Sequence, residues 1–285
     1  MLYEKFEKYW KIWLWLPLLL LVISAGVIVN NVATTGSFMD RDMELAGGKS
    51  VTFEVLSADI GAIKSALPYA VVKETSGVSK NLIIEIPFEE DESQVAGIVA
   101  AHAEVVGDPT FRTTGSAIGN IFFQQTQFAL LLAFVFMAGT VFVLFRSVIP
   151  SLIVILAATT DIVVTIAILD TLGVTLSLAV IAALLMVIGY SVDTNMVLTS
   201  ELLRGRSRDV STGIKKAMKT GLTMTSTIFV ALLAMYFLSG SLVIEQISLV
   251  LIIATLLDAP TTWMTNAGVL RYWLEKKGAK HENKQ

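Results

Sequence analysis

Charged residues avoid six long stretches of this chain, which are filled instead by apolar side chains: roughly 12–32, 122–145, 148–169, 174–200, 220–238 and 241–270. Each is near or above the ~20 residues that an α-helix needs to cross a hydrocarbon core ~30 Å thick. The pattern predicts six transmembrane helices. The first run is flanked by Lys5, Lys8 and Lys11, as a signal peptide would be. Its apolar core is too long for a cleaved leader and Ser24-Ala25-Gly26 makes a poor cleavage site, so it reads as a retained helix.

Between the first two runs the pattern becomes that of a small soluble domain, residues 33–121. Val51, Phe53 and Val55 alternate with Thr52 and Glu54, as in a half-buried strand. A helix is predicted near 58–67, with Ser57 as N-cap and Pro68 after its end. Segments 71–75 and 82–88 read as a hairpin around Ser76-Gly77. A second helix over about 89–103 opens with four acids and closes on His102, as the helix dipole favours. The order β-α-β-β-α matches most of a ferredoxin-like split βαβ unit. The expected plan is thus an N-terminal segment 1–11, helix 1 at 12–32, an α+β domain at 33–121, a five-helix bundle at 122–270 and a tail at 271–285.

Lysine and arginine placement orients this plan. With an even number of spans and the N-terminus inside, the cytoplasmic pieces hold 15 of the 21 basic residues, including Arg146, Arg204, Arg206, Arg208, Lys215, Lys216 and Lys219. Segment 33–121 holds 6 basic and 13 acidic residues, which places it outside. The net charge of −3 therefore conceals an acidic outer face and a basic inner one. The inner charge suits anionic lipid headgroups and calls for no nucleic acid. There is no cysteine, so disulfides and thiolate metal sites are excluded.

Little in the sequence suggests an enzyme. Gly48-Lys49-Ser50 looks like part of a phosphate loop, but the glycine required five residues before the Gly-Lys pair is Met43, and a strand follows instead of a helix. His102 and His281 lack metal-site spacing. No cofactor and no metal are expected.

The chemistry lies in the apolar runs. Asp161, Asp193 and Asp258 fall inside the third, fourth and sixth predicted helices. A carboxylate there costs at least ~2.5 kcal/mol, so it normally faces a bundle interior or a water-filled path. At ~1.5 Å per residue, Asp161 and Asp258 lie within about 3 Å of the bilayer centre and Asp193 about 7 Å toward the cytoplasm. Asp193 leads as a proton-relay candidate, because Gly189 and Ser191 loosen its helix and Asn195 adds polarity. Pro260 cannot donate to the carbonyl of Leu256, which leaves an acceptor beside Asp258. Thr220, Thr223 and Thr227 form a hydroxyl stripe suited to gluing helices together. Glu245 is placed near the outer end of its helix, within reach of headgroups.

Four segments carry a resemblance to a known family. Glu44-Leu45-Ala46-Gly47-Gly48-Lys49-Ser50-Val51 follows the first helix, and Thr114-Gly115-Ser116-Ala117-Ile118-Gly119 leads into the second. Asp161-Ile162-Val163 lies in the third helix, and Val187-Ile188-Gly189-Tyr190-Ser191-Val192-Asp193 in the fourth. In order and spacing they resemble the SecF family of protein-export membrane proteins, in an archaeal-like spelling, within the wider resistance-nodulation-division superfamily. Bacterial members read Ser-x-Asn-Asp in the fourth helix, whereas Asp193 here comes one residue earlier. They also carry an arginine at the start of the fifth helix, where this chain has Thr220.

The resemblance implies a non-enzymatic, multi-pass subunit of the cell membrane with both termini cytoplasmic. Its implied partners are SecD, the SecYE channel, exported polypeptides and membrane lipids. Its implied work is to assist translocation or release of polypeptides, drawing on the proton gradient. The mechanism expected from the residues themselves is protonation of Asp193, a shift of its helix against a SecD neighbour and rocking of the outer domain. Two other classes fit the residues: half of a small-molecule or lipid transporter of the resistance-nodulation-division type, and a purely structural assembly subunit.

Overall fold

The computed structural model describes residues 15–75, 80–204 and 209–282. The segment 1–14, the Ser76-Gly77 turn, Arg206 and Arg208, and the last three residues lie outside these.

Among the described residues six helices are long and apolar enough to cross a membrane, and the chain is a multi-pass membrane protein. Helix α1 is Trp15–Thr35. A one-turn helix α2, Met43–Ala46, leads into strand β1, Gly48–Ala58. Then come α3 (Ile60–Ala66), β2 (Val71–Glu74), β3 (Asn81–Ile86), α4 (Glu92–His102) and β4 (Ala103–Thr114). The bundle follows as α5 (Ser116–Phe145), α6 (Val148–Thr171), α7 (Leu178–Arg204), α8 (Val210–Leu238) and α9 (Leu242–Pro260). A π-helical turn, Thr261–Asn266, joins α9 to α10, Ala267–Glu282, within one continuous span.

Local chemistry sets the boundaries. Arg146 takes a left-handed conformation (φ 48°) and its N–H closes on Phe142, ending α5 so that α6 can turn straight back. Pro150 sits in the first turn of α6, where the missing N–H would have had no helical partner. Helix α7 packs against α5, α6, α8 and α9 and is the centre of the bundle. Leu184, Val180, Leu169, Leu176 and Val250 around it are fully buried.

The four strands form one antiparallel sheet in the order β2-β3-β1-β4. Val51, Phe53, Val55, Leu82 and Ile84 on one face pack with Ile63 of α3 and with Val95 and Val99 of α4.

The sheet departs from expectation in two ways. Strand β1 runs on to Ala58 and pairs Ser57 with Glu104, so the N-cap of α3 is Asp59, whose Oδ1 accepts the Ala62 N–H at 3.0 Å, and not Ser57. The last strand, β4, completes a β-α-β-β-α-β order. Its Gly107-Asp108-Pro109 has turn composition, and the strand absorbs it as a bulge at the register shift between Thr52 and Glu54, with Gly107 at φ 77°. In the bundle, α8 begins at Val210 and not near 220, so Lys215, Lys216 and Lys219 lie on a helix and not in a loop.

The domain is fastened to the bundle by backbone contacts. The Asp42 N–H bonds the Leu176 carbonyl at 2.9 Å and the Leu176 N–H bonds the Asp40 carbonyl at 2.7 Å. Arg41 stacks over Phe123 at 3.6 Å. Gly47 adopts φ +84°, and a Cβ there would meet the Ser116 Cα at 2.5 Å. A Cβ on Gly119 would meet Gly47 N at 2.9 Å, and one on Gly48 the Ile86 carbonyl oxygen at 2.8 Å. Gly47 and Gly119 are what lets the strand entry cross the start of α5, and Gly48 lets it lie close against the end of β3. Gly115 and Gly189 have open space around them.

Candidate functional site: a carboxylate pair inside the bundle

Asp161 on α6 and Asp258 on α9 are brought together at the centre of the bundle, 0% and 1% exposed. They come from the two helices that flank α7. Their partners are almost all hydroxyls and amides from α7 and the π turn. Ser191 donates to Asp161 Oδ2 at 2.5 Å, and Thr262 donates to Asp258 Oδ1 at 2.9 Å. Thr261 lies beside Asp161 and Thr194 beside Asp258, and the two carboxyls interact with each other. Asp161 Oδ1 and Asp258 Oδ2 have no further hydrogen-bond partner among the described residues.

An amide relay extends from the pair. Asn195 Oδ1 accepts from the Asn266 side-chain amide and lies 3.2 Å from Thr262 Oγ1, whose one proton it shares with the nearer Asp258, while its own amide nitrogen donates to the Ser191 carbonyl at 2.7 Å. Asn195 and Asn266 are each 1% exposed. The π turn is what aims this group. By inserting a wider turn just after Pro260, it points Thr261, Thr262 and Asn266 inward together. Tyr190, half-buried, places its hydroxyl near Thr194, Thr225 and Thr255 at the edge of the cluster.

Chemically, this is a protonatable pair with no cation in contact among the described residues. Two carboxyls touching in an apolar interior do not both ionise, because neither charge is solvated or compensated. The arrangement can hold one proton between two oxygens and pass it along hydroxyls. Among the described residues no group of His, Asp and Glu is placed to hold a metal ion.

The other expected residues lie elsewhere. The Asp193 side chain is exposed on the outer surface of α7, on the same stripe as Met186, Gly189 and Ser200, and takes no part in the pair. Its neighbours Ser191 and Asn195, two residues away on either side, point inward instead. Thr220, Thr223 and Thr227 are exposed on α8, and their hydroxyls return to the carbonyls of Lys216, Lys219 and Thr223 of their own helix instead of gluing it to another in this chain. Glu245 is only 7% exposed and lines a cleft with Lys73 and Glu74 beneath the domain, so it does not reach headgroups. Thr261, Thr262 and Asn266 carry no signal in a hydropathy pattern. The hint available in the sequence was their clustering after a mid-helix proline.

Comparison with known proteins gives one answer. The family described as "Protein export membrane protein SecD/SecF, C-terminal" matches residues 95–276. The protein-export membrane protein SecF of Methanolacinia petrolearia is 38% identical over 93% of this chain and 94% of its own length. That of Pyrococcus furiosus is 34% identical over 93% and 91%. That of Methanocaldococcus jannaschii is 33% identical over 96% and 99%. Among solved structures, the translocon-associated membrane protein SecDF of Thermus thermophilus superposes with a TM-score of 0.75 at 21% identity. The likeness of fold extends over 95% of this chain, which spans 38% of that longer one.

Proposed function

Because this chain belongs to the SecF family of protein-export membrane proteins, we propose that it serves the Sec export machinery as an accessory subunit beside SecD. Similarity to curated SecF proteins over nearly their whole length is the observation that carries this reading. The partnership with SecD is supported by the solved likeness, in which a SecF-like part forms 38% of one SecDF chain.

In this reading the α+β domain is ferredoxin-like and lies outside the cell membrane, both termini lie inside, and SecYE, the exported polypeptide and the surrounding lipids are the subunit's other contacts. The acidic balance of 33–121 against the basic inner segments supports that orientation. Asp193 belongs to the face that meets SecD. A carboxylate on an apolar helix surface is too costly to leave against lipid, so a second membrane subunit covers it. The Asp161–Asp258 pair, inside this subunit, holds the coupling proton. One charge crossing 100 mV releases ~2.3 kcal/mol, enough to bias a two-state shift of α6 and α9 about α7.

The direct test is affinity purification of the full chain from its native membrane in mild detergent, with companions identified by mass spectrometry. Recovery of a SecD-type protein is the expected result. A reproducible homo-oligomer without one would overturn the reading.

A further inference from the structure

A second buried acid pair lies at the foot of the α+β domain, where the sheet meets the loops between α6 and α7 and between α8 and α9. Lys73 Nζ on β2 is 2.5 Å from Glu85 Oε1 on β3 and 3.2 Å from Asp42 Oδ1, in the link between α1 and α2. All three side chains are largely buried. One ammonium thus faces two carboxyls that also touch each other. Asp42 is the piece that binds the group to the bundle. Its side chain accepts the Met43 N–H at 2.6 Å, and its own N–H bonds the Leu176 carbonyl.

A cleft of about 430 Å³ opens beside these residues. The domain lines it with Ser50, Asn81 and Glu85, and the bundle with Ser177, Gly240 and Gln246. Few bonds cross it: Asn81 donates to the Gly240 carbonyl at 3.0 Å, and Glu44 accepts the Leu178 N–H at 3.3 Å. Among the described residues, the other charged groups at this junction include Glu44 on α2, paired with exposed Arg112 of β4 at 3.7 Å, Glu74 on β2, Glu245 on α9, and Asp40 and Arg41 just before Asp42. Acids outnumber cations, so Lys73 cannot neutralise both carboxyls.

We propose that Asp42, Glu85 and Lys73 form a proton-operated latch between the α+β domain and the bundle, closed while the acid pair carries one proton and loosened once both acids are ionised. The closed group has one positive and one negative charge and a neutral acid donating between the carboxyls. The ionised group has a surplus negative charge in a buried site beside a cleft through which water enters as the surfaces part.

Burial, reinforced by neighbouring Asp42 and partly offset by Lys73, holds the Glu85 carboxyl up at about 8 against an ordinary 4.5. The docked junction therefore retains a proton that a released Glu85 gives up. Proton linkage then makes docking strongest below the ordinary value, progressively weaker as pH rises toward about 8, and insensitive to this group above that.

The test uses the full chain in lipid nanodiscs. Because the chain has no cysteine, spin labels can be placed uniquely at Leu56→Cys on β1 and Leu172→Cys after α6, both exposed positions. The distance between them is measured by pulsed electron resonance from pH 4.5 to 9. The expected result is one short distance in acid, giving way across that window to a longer or broader population. Glu85→Gln, neutral at every pH, should keep the short distance throughout. Infrared difference spectra should show a carboxylic-acid band lost over the same window in the parent and absent from Glu85→Gln. A distance that ignores pH in the parent, or responds equally in Glu85→Gln, would overturn the latch.

Discussion

At the scale of the residue, what separates the membrane aspartates is their company. Asp161 and Asp258 face each other among hydroxyls and amides, whereas Asp193 faces out of the subunit. On the proposal that the pair acts as one proton site, Asp161→Asn and Asp258→Asn should each remove proton-dependent export, and the double variant should lose no more than either single one. Export of a secreted reporter in cells carrying each variant as sole copy measures this; additive losses would show two independent sites. Ser191→Ala leaves a buried acid oxygen without its donor and should destabilise the subunit by about 1–3 kcal/mol, read as a lowered unfolding temperature in detergent. The three aspartates were legible in the sequence because a charge in an apolar run is conspicuous. Their ranking was not, since helical phase alone does not say which face of α7 turns toward α6 and α9. The partnership of Asp161 with Asp258 depends on a contact between helices far apart in the chain.

At the scale of the element, glycines and the π turn decide what can approach what. Gly47→Ala and Gly119→Ala each force a methyl into backbone at 3.0 Å or less, and Gly47 also needs its positive φ. Each should cost about 1–3 kcal/mol and loosen the domain from α5, a change visible as faster amide exchange at Asp42 and Leu176. Gly189→Ala, with open space, should leave stability unchanged within about 0.5 kcal/mol. The helix periods and the sheet's first three strands were readable from pattern because apolar alternation is strong there. Strand β4 was not, since Gly107-Asp108-Pro109 has turn composition, and it is only the pairing of β1 with the residues on either side that carries the strand past it as a bulge. The start of α8 was hidden for a related reason: Lys215, Lys216 and Lys219 interrupt hydropathy without interrupting the helix. On α7, the exposed stripe through Asp193 should lie against the companion subunit. A photo-crosslinker at Ser200 should therefore capture a SecD-type protein, and one at Leu19, on the outward face of α1, should not.

At the scale of the whole molecule, two acid pairs sit at different depths, one inside the bundle and one at its junction with the α+β domain. The inner pair lies on α6 and α9. The outer one touches the loops that begin and end those same helices, through Leu176 and through the cleft beside Gly240 and Gln246. A shift of α6 and α9 of the kind proposed would therefore be felt at the base of the α+β domain, through Leu176 and the cleft. The rocking of that domain expected above would have to break the Asp40–Leu176 and Asp42–Leu176 bonds, which would gate it at this junction. The most direct measurement is translocation of a secreted protein in vesicles holding this subunit, its SecD-type companion and the channel, with and without an imposed proton gradient. The account predicts that the gradient accelerates translocation with the parent chain and has no effect with Asp161→Asn or Asp258→Asn, although both variants still assemble. Full gradient-driven acceleration in both variants would contradict it.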